Sequence, residues 1–197
     1  MSADGLDPVL HAASIAFGFV YIHPLEDGNG RLHRYLVHHV LAERNFSPPG
    51  LVFPISSSML KSIDRYREVL RNHSLPLMDF IEWETTGKMN VEVVNNTRDL
   101  YSSFDCTDAC EFLYSCIRET IEKDLPEELH YLKCHDQALA EINKLVDIPD
   151  NMAKSLIIFV GQNNGILPKN RSHKEFARLT NNEVNKIEHI IKEVFTE

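Results

Sequence analysis

The sequence contains no CxxC pair, no HExxH motif, no apolar run long enough to span a bilayer and no excess of positive charge. Without closely spaced cysteines, or histidines at ligand spacing beside them, a structural zinc site is excluded. Cys106, Cys110, Cys116 and Cys134 are therefore read as buried, reduced thiols of a cytoplasmic protein. Lysine and arginine total 20 against 29 acidic residues, a formal charge of −9, which argues against gripping nucleic acid. The absence of long apolar runs argues against a membrane partner. Met1 to Gly5 have neither a basic stretch nor an apolar one of signal-peptide type. The expected residence is cytoplasmic, although an effector exported by another route has the same composition. No internal repeat or low-complexity segment is present.

What the chain does have is an ordinary globular balance, 43% apolar and 25% charged over 197 residues. That suits one domain, or one domain with a helical annex. Asp7-Pro8 is a helix start, with Asp as cap and Pro in the first turn. Val9, Leu10, Ala12, Ala13, Ala16, Phe17, Phe19 and Val20 then make a helix apolar nearly all round, hence central. Pro24, Gly28 and Gly30 break it into a loop. A second helix is predicted over 29–44, with Leu32, Leu36, Val37, Val40 and Leu41 inward, ended by Pro48, Pro49 and Gly50. Ser56, Ser57 and Ser58 offer caps for a third over 58–72, with Leu60, Ile63, Tyr66 and Leu70 on one side. Thr85 to Lys88 is turn chemistry and residues 91–93 alternate, so a short hairpin is expected between 83 and 94. Further helices are predicted near 107–124, 126–146, 150–163 and 180–195, with Asn163-Asn164-Gly165 as a stop. The fold class is all-α, or mainly α with one small β element. The boundary is set between 1–96, which holds the loop, and a helical extension over 97–197.

The stretch His23–Arg34 concentrates chemistry. Two glycines flank Asn29 where a helix begins, so backbone N–H groups can turn toward an anion at a helix N-terminus. Arg31 and Arg34 lie three apart and share one side of the first helical turns. They supply forked, permanently charged donors suited to phosphate. Asp27 offers a carboxylate at the loop edge, and Mg²⁺ takes one or two carboxylates plus phosphate oxygens. His23 closes the other side with a side chain suited to moving a proton near neutrality. A base, a magnesium carboxylate, an amide nest and two arginines are the parts of nucleotidyl or phosphoryl transfer. Glu26 reads as a solvated loop residue. His33, His38 and His39 read as surface or packing histidines.

This segment resembles the Fic family signature HxFx(D/E)GNGRxxR, matching at His23, Asp27, Gly28, Asn29, Gly30, Arg31 and Arg34. It departs at Leu25, where the family usually has Phe; an apolar anchor beneath the loop is expected there. The resemblance implies a Fic-like helical bundle core and a protein AMP-transferase. His23 would deprotonate a Tyr, Thr or Ser hydroxyl of a target protein, which attacks the α-phosphate of ATP as pyrophosphate leaves. Asp27 would hold Mg²⁺. Gly28, Asn29 and Gly30 would form the anion hole, and Arg31 would contact the phosphates. Arg34 would bind the γ-phosphate or, in inhibited forms, a regulatory glutamate. In the Doc branch a lysine replaces the second glycine and the reaction is phosphorylation, so Gly30 favours AMP transfer.

Fic domains usually carry helices and a hairpin flap before the motif helix, and 22 residues precede His23. A chain lacking those elements is the expectation, with an inhibitory helix from another chain or a second copy as compatible partners. Thr107 to Phe112 and Ser115 to Thr120 have the spacing of the family's inhibitory motif but the wrong final residue, and read as helix surface. Segments 162–166 and 169–174 suggest a helix-turn-helix-like module. Six basic against five acidic residues over 168–197 give DNA binding no support. The competing reading is a remnant of a Fic protein, a non-catalytic nucleotide-binding or regulatory interaction module.

Overall fold

A computed structural model describes residues 5–48, 53–87, 90–169 and 176–196. Pro49, Gly50, Lys88 and most of 169–174 therefore lie outside the described residues. The chain divides into two compact units, Met1–Leu125 and Pro126–Glu197.

In the first unit, α1 (Pro8–Ile22) begins as its sequence dictates. The Asp7 carboxylate accepts from the amides of Val9 at 2.8 Å and Leu10 at 3.2 Å, and also from the Tyr114 hydroxyl at 2.7 Å. Its Ala12, Ala13, Ala16 and Phe17 are fully buried. α2 (Asn29–Glu43) packs beside it. Its inward face is Asn29, His33, Val37, Val40 and Leu41, whereas Leu32, expected inside, is exposed.

The expected third helix is two: α3 (Ile55–Lys61) and α4 (Ile63–Leu77), divided at Ser62. Ser56 to Ser58 do not cap it, because the helix already starts at Ile55. Leu60, expected on one side with Ile63, Tyr66 and Leu70, is exposed, and Met59 and Val69 are buried. Two three-residue strands follow, β1 (Trp83–Thr85) and β2 (Val91–Val93), antiparallel with Trp83 opposite Val93 and Glu84 opposite Glu92. The paired glutamates oppose this hairpin, which is exposed on both faces. At its base Asn95 holds both arms, accepting from the Glu82 amide at 3.1 Å and donating to the Phe80 carbonyl at 2.8 Å.

α5 (Thr107–Glu119) buries Ala109, Cys110, Phe112, Leu113, Cys116 and Ile117 against α1, α3 and α4. This is why the first compact unit extends to Leu125 and not to the expected boundary at 96. α5 ends in a π turn, Thr120–Asp124. The wider turn accompanies a buried polar knot with α3: Ser58 Oγ lies 2.9 Å from Thr120 Oγ1 and donates to Asp124 at 2.7 Å, and Lys61 donates to Asp124 at 2.6 Å. The knot and Lys61 hold the Asp124 carboxyl below the usual range.

The second unit packs α6 (Leu125–Leu145), α7 (Asp150–Gln162) and α8 (Asn181–Thr196) around their own core. Cys134, Ala138 and Ile142 recur every fourth residue on α6 and meet Leu156, Ile157 and Val160 of α7 and Ile187 and Ile191 of α8. Asn163-Asn164-Gly165 does stop α7: Asn164 and Gly165 have φ of 54° and 79°, and the Gly165 amide returns to the Val160 carbonyl at 2.8 Å. α8 opens on a reciprocal cap, Thr180 with Glu183. No described helix is long and apolar enough to cross a membrane.

Candidate functional site

The loop between α1 and α2 is shaped by three local devices. The first is at His23, which caps α1 with φ 51° and ψ 53° while its amide donates to Phe19 at 3.1 Å. Pro24 cannot continue the helix, and it favours an extended residue before it. His23 instead takes the left-handed region, a departure costing about 1 kcal/mol or more that tends to persist at functional positions. Its side chain is exposed.

The second device is Asn29. It is only 2% exposed, and its amide group is spent on the loop itself. Oδ1 accepts from the Leu25 N–H at 3.1 Å, and Nδ2 donates to the Leu25 carbonyl. Both backbone groups of Leu25 are thereby tied inward, and its side chain is turned out, 45% exposed. Leu25 is thus not the anchor beneath the loop that the sequence suggested; the Asn29 side chain fills that place. Of the expected anion hole, Asn29 keeps its backbone amide at the head of α2, beside that of Gly30, and no side chain caps this helix.

The third device is Gly28, at φ 91°. A side chain there would be strained, and the carbonyl of Gly28 accepts from both Arg31 at 3.0 Å and Leu32 at 2.9 Å to start α2. The Gly28 amide is engaged by Asp27 Oδ1 at 2.6 Å, and Asp27 Oδ2 pairs with Arg31 at 3.0 Å. Asp27, Gly28 and Arg31 therefore form one solvent-exposed cluster. Arg31 Nη2 lies 3.6 Å from where a Cβ of Gly28 would be, and Arg34 Nη1 lies 3.8 Å from the same point on Gly30. Both guanidiniums border the loop backbone, as two phosphate ligands must.

Asp27 fits a magnesium ligand in kind: a hard oxygen donor on an accessible edge, with phosphate oxygens left to complete the shell. Among the described residues, no group of three or more His, Cys, Asp or Glu could hold a metal unaided. Glu26 is exposed, as expected.

The three histidines of α2 are structural. His39 is exposed, stacked on Tyr35 and 3.5 Å from Glu43. His38 lies 2.6 Å from Ser56 Oγ. His33, 1% exposed, places Nδ1 2.8 Å from the Ala16 carbonyl and packs edge-on against Phe17, while its Nε2 has no partner. Nδ1 must carry the proton to donate to that carbonyl. Burial holds the His33 pKa below its ordinary 6.5, with Arg34 adding to the effect and the Ala16 bond opposing it. Unfolding frees the ring to protonate, so its contribution is complete above about pH 6.5 and is lost as pH falls below that. The midpoint of denaturant unfolding should fall between about pH 7 and pH 5, and His33→Gln should flatten part of that fall. His38 and His73, shifted the same way by burial, act over the same range, whereas the lowered carboxyls of Asp7, Asp105, Asp124 and Glu183 act at lower pH.

The buried position of His33 was readable: 29, 33, 37, 40 and 41 follow the helical stripe. A second feature carried no such signal. A cleft of about 230 Å³ opens between Tyr21, Val69, Asn72, His73, Asp105 and Asp108, with the His73 and Tyr21 ring centroids 3.9 Å apart and their planes tilted by 33°. Its residues come from three separate stretches of chain.

Residues 2–41, which span α1, the loop and most of α2, match the model of the Fic/DOC family. No curated protein and no solved structure is matched by the chain. The helix–loop–helix that carries His23 to Arg34 lies within the segment that matches this family model.

Proposed function

We propose that this chain transfers AMP from ATP to a Tyr, Thr or Ser hydroxyl of a target protein. The observation that supports this most directly is the loop itself: a helix N-terminus with no side-chain cap, bordered by Arg31 and Arg34, with His23 exposed at the other end. An anion is favoured there by the helix dipole and by both guanidiniums. The Asp27–Arg31 pair is exposed on both sides, so it is worth little and exchanges readily. With nucleotide bound, Asp27 would hold Mg²⁺ and Arg31 would contact the phosphates, leaving the Gly28 amide to the anion. Magnesium supplies charge neutralisation at the phosphates. His23 takes the hydroxyl proton as the oxygen bonds to the α-phosphorus; the bond to the bridging oxygen breaks and pyrophosphate leaves.

The openness of the loop favours a second reading, a module that holds nucleotide without transferring it. Incubation with Mg²⁺, ATP labelled at the α-phosphate and a bacterial lysate separates the two. Label in protein is the expected result. Retained nucleotide with unlabelled protein sinks the first reading and supports the second.

A further inference from the structure

The cysteines read from sequence as inert thiols include one close pair. Cys106, the residue that caps α5, is half-buried, and Cys110 one turn later is 9% exposed. Their sulfurs lie 3.5 Å apart, and the Cys110 amide bonds the Cys106 carbonyl at 2.9 Å, so both side chains share one face of a closed helical turn. Ser14 of α1 donates its hydroxyl to the Leu10 carbonyl at 2.8 Å, and its Oγ lies 3.6 Å from Cys106 Sγ. Burial, with the Asp105 and Asp7 carboxylates adding to it, opposes ionisation of the Cys110 thiol, so uptake of a metal must displace its proton.

Two chemistries join thiols this close. A disulfide needs the Cβ atoms about 3.8 Å apart. Residues four apart on a helix hold them at about 5–6 Å, so a disulfide would have to unwind the first turn of α5. A bridge through a third atom needs no unwinding, because two metal–thiolate bonds of about 2.3 Å each span more than the observed sulfur separation. Zinc is the wrong ion, since it asks for four ligands and no larger cluster of ligating residues stands among the described residues. A soft monovalent ion is satisfied by two thiolates.

We infer that Cys106 and Cys110 form a two-coordinate site for Cu(I). Two Cu–S bonds form, both thiol protons pass to solvent, and the copper stays cuprous throughout. Uptake therefore strengthens as pH rises. The site is independent of the His23 loop.

The test uses the full chain, reduced and kept from air, titrated into the Cu(I)–bicinchoninate complex. The colour of that complex should fall by one copper per chain. Cys106→Ser, which puts a good capping residue at an accessible position, should lose the uptake with helicity unchanged, and Cys110→Ala should lose it as well. X-ray absorption of the copper-loaded chain should give sulfur neighbours only, a readout that needs no variant. Copper left with the chelator, equal uptake by the variants, or nitrogen neighbours would each overturn the site; nitrogen would point to Cys134 and His130, 3.6 Å apart on α6.

Discussion

His23→Ala should lower AMP transfer by about 10²–10⁴-fold, the usual contribution of a positioned general base, while nucleotide binding and helicity stay near those of the parent. The selectivity follows from position. His23 is exposed at the end of α1. Its backbone, at φ 51°, is the strained element, and alanine tolerates the left-handed region less well than histidine. Any stability loss is then confined to the loop entrance. His23→Asn, which accepts that conformation, should be as inactive, so the two variants together separate lost chemistry from lost shape. The measurement is the initial rate of protein labelling from α-labelled ATP beside equilibrium nucleotide binding.

The second large effect is expected at Asn29. Its side chain satisfies both backbone polar groups of Leu25 beneath the loop. Asn29→Ala removes both partners at once and should cost about 1–3 kcal/mol in unfolding free energy. Asn29→Asp keeps the acceptor for the Leu25 amide but sets a carboxylate against its carbonyl, so it should be no better. Nucleotide affinity should fall in both, because the amides of Asn29 and Gly30 lose their fixed direction. Denaturant unfolding and nucleotide titration on the same samples check this. Unchanged stability in Asn29→Ala would mean that the loop does not depend on this tie.

Features that rest on local chemistry were legible in the sequence. Asp7 caps α1, Gly165 stops α7, and the segment 23–34 forms a loop leading into a helix, because each depends on residues within a few positions. Those that depend on distant partners were not. The inward turn of Asn29 throws Leu25 outward, although an apolar residue in a loop invites the opposite reading. Ser58 resembles a cap, yet its partners Thr120 and Asp124 lie more than sixty residues away, and their pull places it inside α3. The boundary near 96 followed the return of helical patterning from Thr97; the compact unit that holds the loop runs on through α5, where Phe112 and Leu113 complete the core around Phe17. The Cys106–Cys110 pair was visible as spacing, but its meaning needed the sulfur distance.

The most direct test of the proposed reaction runs two labels in parallel, ATP marked at the α-phosphate and ATP marked at the γ-phosphate, with His23→Ala as control. The expected result is α-label in protein, γ-label released as pyrophosphate, and neither in the control. γ-Label in protein with α-label left in solution would contradict AMP transfer and make the loop a phosphoryl-transfer site.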